Sequence, residues 1–161
     1  MSYPITEANL RQLTNITQKV VLDLNSEVGW YLDLGTLGPG ASWRVISDPT
    51  SFYGTVAFSV MQPVGASDPC ETGGSNRVYA IDLGSGQSRL TSTPNPGPNP
   101  AYVPYLSTMS GVVADLRFYS VQGKARLIAG SDTGSTGSMP GAWGTTTTTR
   151  RLNWREVILN D

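Results

Sequence analysis

Short runs in which every second residue is apolar recur along this chain, and convincing helical periodicity is absent. In the run over 77–83, Tyr79 and Ile81 share one face of an extended strand, while Val78 and Ala80 share the other. Apolar residues on both faces indicate a sheet that is covered on both sides. The pattern therefore predicts an all-β fold of antiparallel strands. The clearest runs are GWYLDLG (29–35), SWRVISDP (42–49), GTVAFSVM (54–61) and RVYAIDL (77–83).

Turn signals and shifts in composition divide the chain into four parts. Residues 1–20 are predicted to form an N-terminal arm that leads into a strand over 19–24, and 21–92 a first blade-like β unit. Residues 93–114 are proline-rich and uncharged, which predicts a surface loop or a segment docked on something else. Residues 115–161 are predicted to form a second blade-like β unit. In it, Gln122-Gly123 predicts a hairpin between strands 116–121 and 124–129, and the Gly/Ser/Thr-rich stretch 131–149 predicts a mobile loop.

The composition excludes several classes of function. The chain has no histidine, so neither a Ser-His-Asp triad nor a histidine-based zinc site can form within it. A net charge of −1 gives no electrostatic attraction to nucleic acid. No stretch approaches the roughly 20 apolar residues of a membrane span. The opening residues do not resemble a secretory signal, so an exported protein would carry its signal outside this segment.

The single cysteine, Cys70, has acidic neighbours and no histidine to activate it, which argues against a catalytic thiol. It is predicted to be a turn thiol or half of a bridge to a cysteine outside this segment. Gly73 and Gly74 predict a tight turn before the next strand. Asp33 and Asp82 lie beside turns, where aspartate bonds backbone donors, and so does Asp115.

The aromatic residues have two possible interpretations, packing in the core or forming a surface that binds a ligand. Trp30, Tyr31, Trp43 and Tyr79 lie at strand spacing, which favours packing between sheets over a sugar or peptide groove. Trp143 lies in the Gly/Ser/Thr-rich stretch instead. It is either tucked onto the body of the protein or offered to a partner, and the sequence favours neither.

An ordered series of motifs resembles the final part of the C-terminal domain of PilY-type proteins. The motifs are GWYLDL (29–34), RVISDP (44–49), GTVAFSVMQP (54–63), DPCETGGSNRVYAIDLGSG (68–86) and RRLNWRE (150–156). The positions that carry the resemblance, all with structural roles, are Gly29, Trp30, Asp33, Arg44, Asp68, Pro69, Cys70, Gly73, Gly74, Asp82 and Trp154.

PilY-type proteins are type IV pilus assembly factors and tip adhesins of Gram-negative bacteria, and the domain in question is a modified β-propeller. The resemblance implies that this chain supplies about two blades, whereas closing a propeller needs at least about four. The rest of the propeller would then belong to another part of the protein. A small self-contained β-sandwich is the alternative. The family's acidic calcium loop has no counterpart here, so no metal and no cofactor are expected.

The resemblance implies a non-enzymatic component of pilus assembly, surface adhesion and twitching motility, with no catalytic residue. Its expected partners are pilin or minor pilin subunits, the remainder of the propeller chain, and a host or abiotic surface. Its expected place is outside the cell, at the outer membrane or cell surface. A carbohydrate-binding, lectin-like β module is the alternative function, with Trp143 as the candidate contact in either case.

Overall fold

A computed structural model describes residues 5–35, 43–63, 74–94, 96–107, 109, 111–122 and 124–143. These ranges contain nine strands, one 3₁₀ turn (Glu7–Asn9) and no α-helix, which confirms the predicted all-β class. The strands are Leu10–Gln12 (β1), Gly29–Tyr31 (β2), Arg44–Val45 (β3), Thr50–Phe52 (β4), Thr55–Pro63 (β5), Gly74–Asp82 (β6), Val113–Val121 (β7), Lys124–Ser131 (β8) and Thr136–Met139 (β9).

The long antiparallel pair β5–β6 is the centre of the molecule. Its register runs from Thr55 opposite Asp82 to Pro63 opposite Gly74. Strands β3 and β4 both pair antiparallel with the other edge of β5. Strands β7, β8 and β9 form a second antiparallel sheet in sequence order, and β1 pairs with β2 in a short parallel ladder. The strands of the first larger sheet lie between residues 44 and 82, and those of the second between 113 and 139.

Two tight turns follow from local sequence. Strands β7 and β8 form the hairpin predicted around Gln122, whose φ of 51° is left-handed. Tyr53 and Gly54, between β4 and β5, also both have positive φ (45° and 73°), as the central residues of a type I′ turn require. Glycine reaches this region without steric cost, so Gly54 suits the second central position of this turn.

One face of the β5–β6 pair lies against the β7–β8–β9 sheet. Small side chains at Ala57 and Ala80 let the sheets approach, and Leu127 and Met139 fill the space opposite them. The Ser59 hydroxyl donates a 2.6 Å hydrogen bond across the interface to the carbonyl of Val113. This face is therefore a buried, largely apolar contact between two sheets, joined by a buried hydrogen bond.

The opposite face is covered by irregular chain. Tyr79 and Ile81 are buried there against Leu13 and Ile16 from the N-terminal segment and against Trp43. The prediction that the central sheet is covered on both sides is confirmed. The N-terminal arm is consequently part of the core, which its sequence did not indicate.

The predicted strand over 19–24 is wrong. Val21 and Leu24 are 80% and 78% exposed, and neither belongs to a strand. The carboxylate of Asp23 accepts hydrogen bonds from the Asn25 backbone amide (3.1 Å) and the Ser26 hydroxyl (2.9 Å). Such short polar side chains offer the backbone a local turn in place of a ladder, and here the turn forms.

The predicted mobile loop over 131–149 is also wrong in part, because Thr136–Met139 forms β9. Met139 is 2% exposed and anchors this strand in the core between the sheets. Burial of that side chain outweighs the weak strand preference of a Gly- and Ser-rich sequence. Residues 144–149 lie outside the described residues.

The proline-rich part splits into two halves. Pro94 and residues 96–100 form no strand, whereas the following chain runs along the outer edge of β6. Leu106 and Val78 exchange two backbone hydrogen bonds of 2.8 and 3.0 Å. The Asn76 side chain, 3% exposed, donates to the carbonyls of Met109 and Gly111 at 2.6 and 2.8 Å. This segment therefore covers a sheet edge that would otherwise present unpaired groups.

Candidate functional site

A groove of about 460 Å³ opens where the proline-rich run, the start of β8 and the chain after β9 meet. We refer to it as the Trp143 groove. It joins three stretches that are far apart in sequence. Its lining consists of Pro94, Pro96, Gly97, Pro98, Pro100, Tyr102, Lys124, Ala125, Arg126, Ser138, Met139, Gly141, Ala142 and Trp143.

Trp143 is held by packing and also faces the groove. Its indole meets Phe118 edge to face, with ring centroids 5.4 Å apart and planes at 82°. The ring also lies directly on the backbone of Gly141, where a Cβ would overlap it. Half-buried against the core between the sheets, Trp143 still lines the open side. Trp143 is therefore packed onto the body of the protein and is still available to a partner, so the two alternatives are compatible.

The charge of the Trp143 groove is positive. Lys124 and Arg126 are both exposed, and both lie on β8 two residues apart. Neither makes an ion pair or side-chain hydrogen bond with any other residue that the structure describes. No acidic residue belongs to the described lining. Among the described residues, the groove therefore presents two cations without an acidic partner, beside apolar surface.

The proline side of the groove is rigid and poor in donors. Pro94, Pro96, Pro98 and Pro100 alternate with other residues, and each fixes its φ and lacks a backbone N–H. The run ends at Tyr102, which is joined to the body by a backbone bridge with Thr91. This wall offers carbonyl oxygens and ring surface, and little conformational entropy is lost when a ligand contacts it.

A second charged cluster lies at the end of β6. Arg89 bonds one carboxylate oxygen of Asp82 at 2.6 Å, and the backbone amide and hydroxyl of Ser85 each donate to the other at 2.8 Å. Partial burial raises the pKa of Asp82, but the bonds from Arg89 and Ser85 outweigh it and hold this pKa below its usual value. The charges of Asp82 and Arg89 compensate each other. This cluster therefore stabilises a turn and offers a ligand few free hydrogen-bonding groups.

Arg77 occupies the aromatic face of the central sheet. Its guanidinium lies between the rings of Trp43 and Tyr105, 3.9 and 4.1 Å from their centroids. Tyr79 stacks on Phe58 with centroids 5.3 Å apart. Trp43 and Tyr79 are 8% and 5% exposed, so they belong to the core and not to a ligand platform.

The strand β2 aromatics are also engaged within the fold. The Trp30 indole N–H donates to the carbonyl of Leu83 at 2.9 Å. A hydrogen bond with Glu7 is the main cause that raises the pKa of the Tyr31 hydroxyl. Both rings are half-buried. Neither forms part of the Trp143 groove.

The remaining motif positions within the described residues are spread over the fold. Gly29 lies in β2 beside Leu10, and the Asp33 carboxylate accepts a 2.8 Å bond from the amide of Gly35. Arg44 is exposed in β3. Gly74 is the first residue of β6, so it lies in the strand and not in the predicted tight turn, and a Cβ there would lie 2.9 Å from a carbonyl oxygen of β5. The structure does not bring these positions together into one site.

Five of the predicted motif residues lie outside the described residues: Asp68, Pro69, Cys70, Gly73 and Trp154. Whether Cys70 is a turn thiol or half of a bridge therefore stays a prediction. Among the described residues, no group of three or more His, Cys, Asp or Glu side chains is placed to share a metal ion. No helix in the described ranges has the length and apolar character to cross a membrane.

The sequence indicated Trp143 and the proline run separately, but it did not indicate that they form one groove. The contribution of β8 was missed altogether. Lys124 and Arg126 flank Ala125, and alternation right after a hairpin turn places the two cations on the same face of the strand. That alternation was the signal available in the sequence.

Comparison with known proteins gives one informative match. The chain is 38% identical over 78 residues to a protein of Xylella fastidiosa (strain Temecula1) named "Type IV pilus biogenesis factor PilY1 homolog". The match covers 48% of this chain but only 5% of that much longer protein. No protein-family model matches the chain, and no solved structure gives a significant match. The similarity supports a distant relationship to the PilY1 type, over about half of this chain.

Proposed function

We propose that this chain is a non-enzymatic component of type IV pilus biogenesis and surface adhesion, which acts through contacts with pilin or minor pilin subunits or with a surface. The observation that carries this proposal is the 38% identity to a PilY1 homologue. Because that protein is matched over only 5% of its length, its name alone leaves the role of this segment to be tested.

The fold is compatible with this role. Two antiparallel sheets lie face to face, and the outer face of the first is covered by the N-terminal segment. Such stacking of sheets occurs in propeller blades and in sandwiches alike. We propose that the chain contributes blade-like sheets to a larger propeller. An exported protein at the surface of a Gram-negative cell would be the corresponding location.

The Trp143 groove is the proposed contact surface. It combines a fixed aromatic ring with a proline wall and two cations that have no acidic partner among the described residues, whereas Trp43 and Tyr79 are buried in the core. Aromatic and arginine side chains are enriched among residues that carry the binding energy of protein interfaces. A surface with this composition suits recognition of a protein.

Deletion of this segment from the chromosomal gene tests the proposed function. We expect loss of surface pili by electron microscopy and loss of twitching on agar, with pilin still present in whole-cell immunoblots. The matched control restores the segment at the same locus. Normal piliation and twitching in the deletion strain would end the proposal.

A carbohydrate-binding module is the second candidate, because Trp143 and Tyr102 line an open groove. Aromatic faces can stack on sugar rings. A glycan array with the purified chain tests this candidate, with Trp143→Ala as the comparison. Reproducible binding to neutral glycans that the variant loses would favour this candidate over protein contact.

A further inference from the structure

We propose that the Trp143 groove binds an extended acidic segment of a partner protein. The inference rests on the proposed role in protein contact and names the surface and the chemistry of the partner. It follows from the charge, the spacing and the lining chemistry of the groove.

The charge of the groove selects an anion. Lys124 and Arg126 are exposed and without an acidic partner among the described residues, although the whole chain carries a net charge of −1. A cationic groove on a slightly acidic protein attracts acidic segments through local complementarity, and this attraction is expected to weaken as salt is added.

The spacing of the two cations selects an extended peptide. Lys124 and Arg126 stand at alternate positions of β8, so their Cα atoms are separated by about 7 Å. Acidic residues at alternate positions of an extended peptide have the same separation. A peptide lying along β8 would therefore pair one carboxylate with Lys124 and the other with Arg126 at the same time. The residue between them would point away from the cations and towards the apolar part of the groove.

The rest of the lining suits that intervening residue. Ala125 and Met139 are almost fully buried and form the apolar floor, and Trp143 forms the wall beside them. An apolar side chain that enters the groove gains contact with this surface. The partner that fits best alternates acidic and apolar residues.

A neutral glycan fits the same lining poorly. Recognition of sugar hydroxyls needs side-chain acceptors as well as donors, and the described lining contains no Asp, Glu, Asn or Gln; its side-chain oxygens are only the hydroxyls of Tyr102 and Ser138. The four prolines add no backbone donors. An anionic glycan, unlike a neutral one, would pair with the two cations. The test therefore includes an anionic glycan as a competing outcome.

Fluorescence anisotropy with the full chain tests the proposal. The probe is a labelled short peptide in which glutamates alternate with leucines, and the control peptide has lysines in place of the glutamates. We expect the acidic peptide alone to bind, with affinity that falls as sodium chloride is raised. Equal binding of both peptides, no binding of the acidic one, or stronger binding of heparin than of the peptide would overturn the proposal.

Matched variants locate the binding. The double variant Lys124→Gln/Arg126→Gln is expected to bind the acidic peptide about tenfold more weakly. Arg117→Gln, which removes an exposed cation from β7 of the same sheet but outside the groove, should bind as the native chain does. Both variants change exposed side chains, and far-UV circular dichroism checks that they fold. Unchanged affinity in the folded double variant would contradict the proposal.

The test separates this inference from the proposed function. If the deletion strain lacks pili but the chain does not bind the acidic peptide, the pilus role stands and the assignment of the groove fails. If the peptide binds at the groove but the deletion strain is fully piliated, the groove assignment stands and the pilus role fails.

Discussion

The two faces of the β5–β6 pair are covered in different ways. On one face, the small side chains of Ala57 and Ala80 face a regular sheet, with Leu127 buried between. On the other face, Tyr79 and Ile81 lie under aromatic rings and irregular chain from the N-terminal segment. One strand pair therefore supports both a sheet-on-sheet contact and a contact with largely irregular chain.

The chain that covers each face is also held in place in a different way. The strands of the β7–β8–β9 sheet are tied to one another by ladders of backbone hydrogen bonds, with one register irregularity between Val113 and Asp115. The N-terminal cover is attached to the body by isolated bonds, such as those from the Val20 N–H to the Ser85 carbonyl (2.9 Å) and from the Ser88 N–H to the Ile16 carbonyl (2.6 Å). A cover with few ties can shift to fill a void, whereas a laddered sheet resists such movement. Mutations of equal size should thus cost more on the sheet side.

The largest expected effect is a direct test of that asymmetry. Leu127 and Ile81 are both fully buried, one on each face, and both can be truncated to alanine. Truncations of this kind cost about 2–5 kcal/mol, depending on how far the site collapses. We expect Leu127→Ala near the top of that range and Ile81→Ala near the bottom, measured by urea unfolding. Equal costs, or the reverse order, would show that the two covers are equally rigid.

The buried hydrogen bond between the sheets should have the next largest effect. Ser59→Ala removes the donor to the Val113 carbonyl and leaves that oxygen buried without this partner. The expected loss in the free energy of unfolding is about 2 kcal/mol. Ser51→Ala, on exposed β4 of the same sheet, is the control and should change stability by less than about 0.5 kcal/mol. Equal effects of the two changes would mean that the bond contributes nothing.

Sequence reasoning was most successful where structure is local. The β7–β8 hairpin follows from alternation around its turn, the strands β5 and β6 follow from alternation within each run, and two-sided burial follows from apolar residues on both faces of β6. The parallel pairing of β1 with β2 and the burial of Leu13 and Ile16 depend on contacts with distant chain. No local pattern encodes those contacts, so the cover of the aromatic face was missed.

The candidate site shows the same limit. Trp143 was singled out, yet the groove exists only because residues 94–102, β8 and the chain after β9 converge. β9 itself was missed, since its sequence of Thr, Gly and Ser has weak strand preference and its position is fixed by burial of Met139. Tertiary packing decides both features.

A smaller effect on stability is expected on the aromatic face, where Arg77 lies between two rings. Tyr105→Leu removes one of the two rings against Arg77 and the contact with Tyr79. Such cation–π contacts contribute about 1 kcal/mol each, so a loss of this size is expected in urea unfolding. Tyr105→Phe keeps the ring and should lose little. A phenylalanine variant as unstable as the leucine variant would assign the effect to the hydroxyl instead.

The smallest expected effect concerns the turn that ends β6 and the pH dependence of its ion pair. The pKa of Asp82 is lowered in the folded state, because the bonds from Arg89 and Ser85 outweigh the opposing effect of burial. A carboxyl group with a lowered folded-state pKa stabilises the protein above its unfolded value, roughly pH 4, and this stabilisation is lost as pH falls below that value.

We therefore expect the native chain to be more stable than Asp82→Asn at pH 7. Their free energies of unfolding should become equal as the pH falls below about 4. Because Arg89 is 34% exposed, solvent screens the pair and the difference should stay below about 1 kcal/mol. Urea unfolding across this pH range measures it. A difference that persists unchanged at the acidic end would show that Asp82 acts through the shape of the turn, since a charge effect must vanish once the carboxylate is protonated.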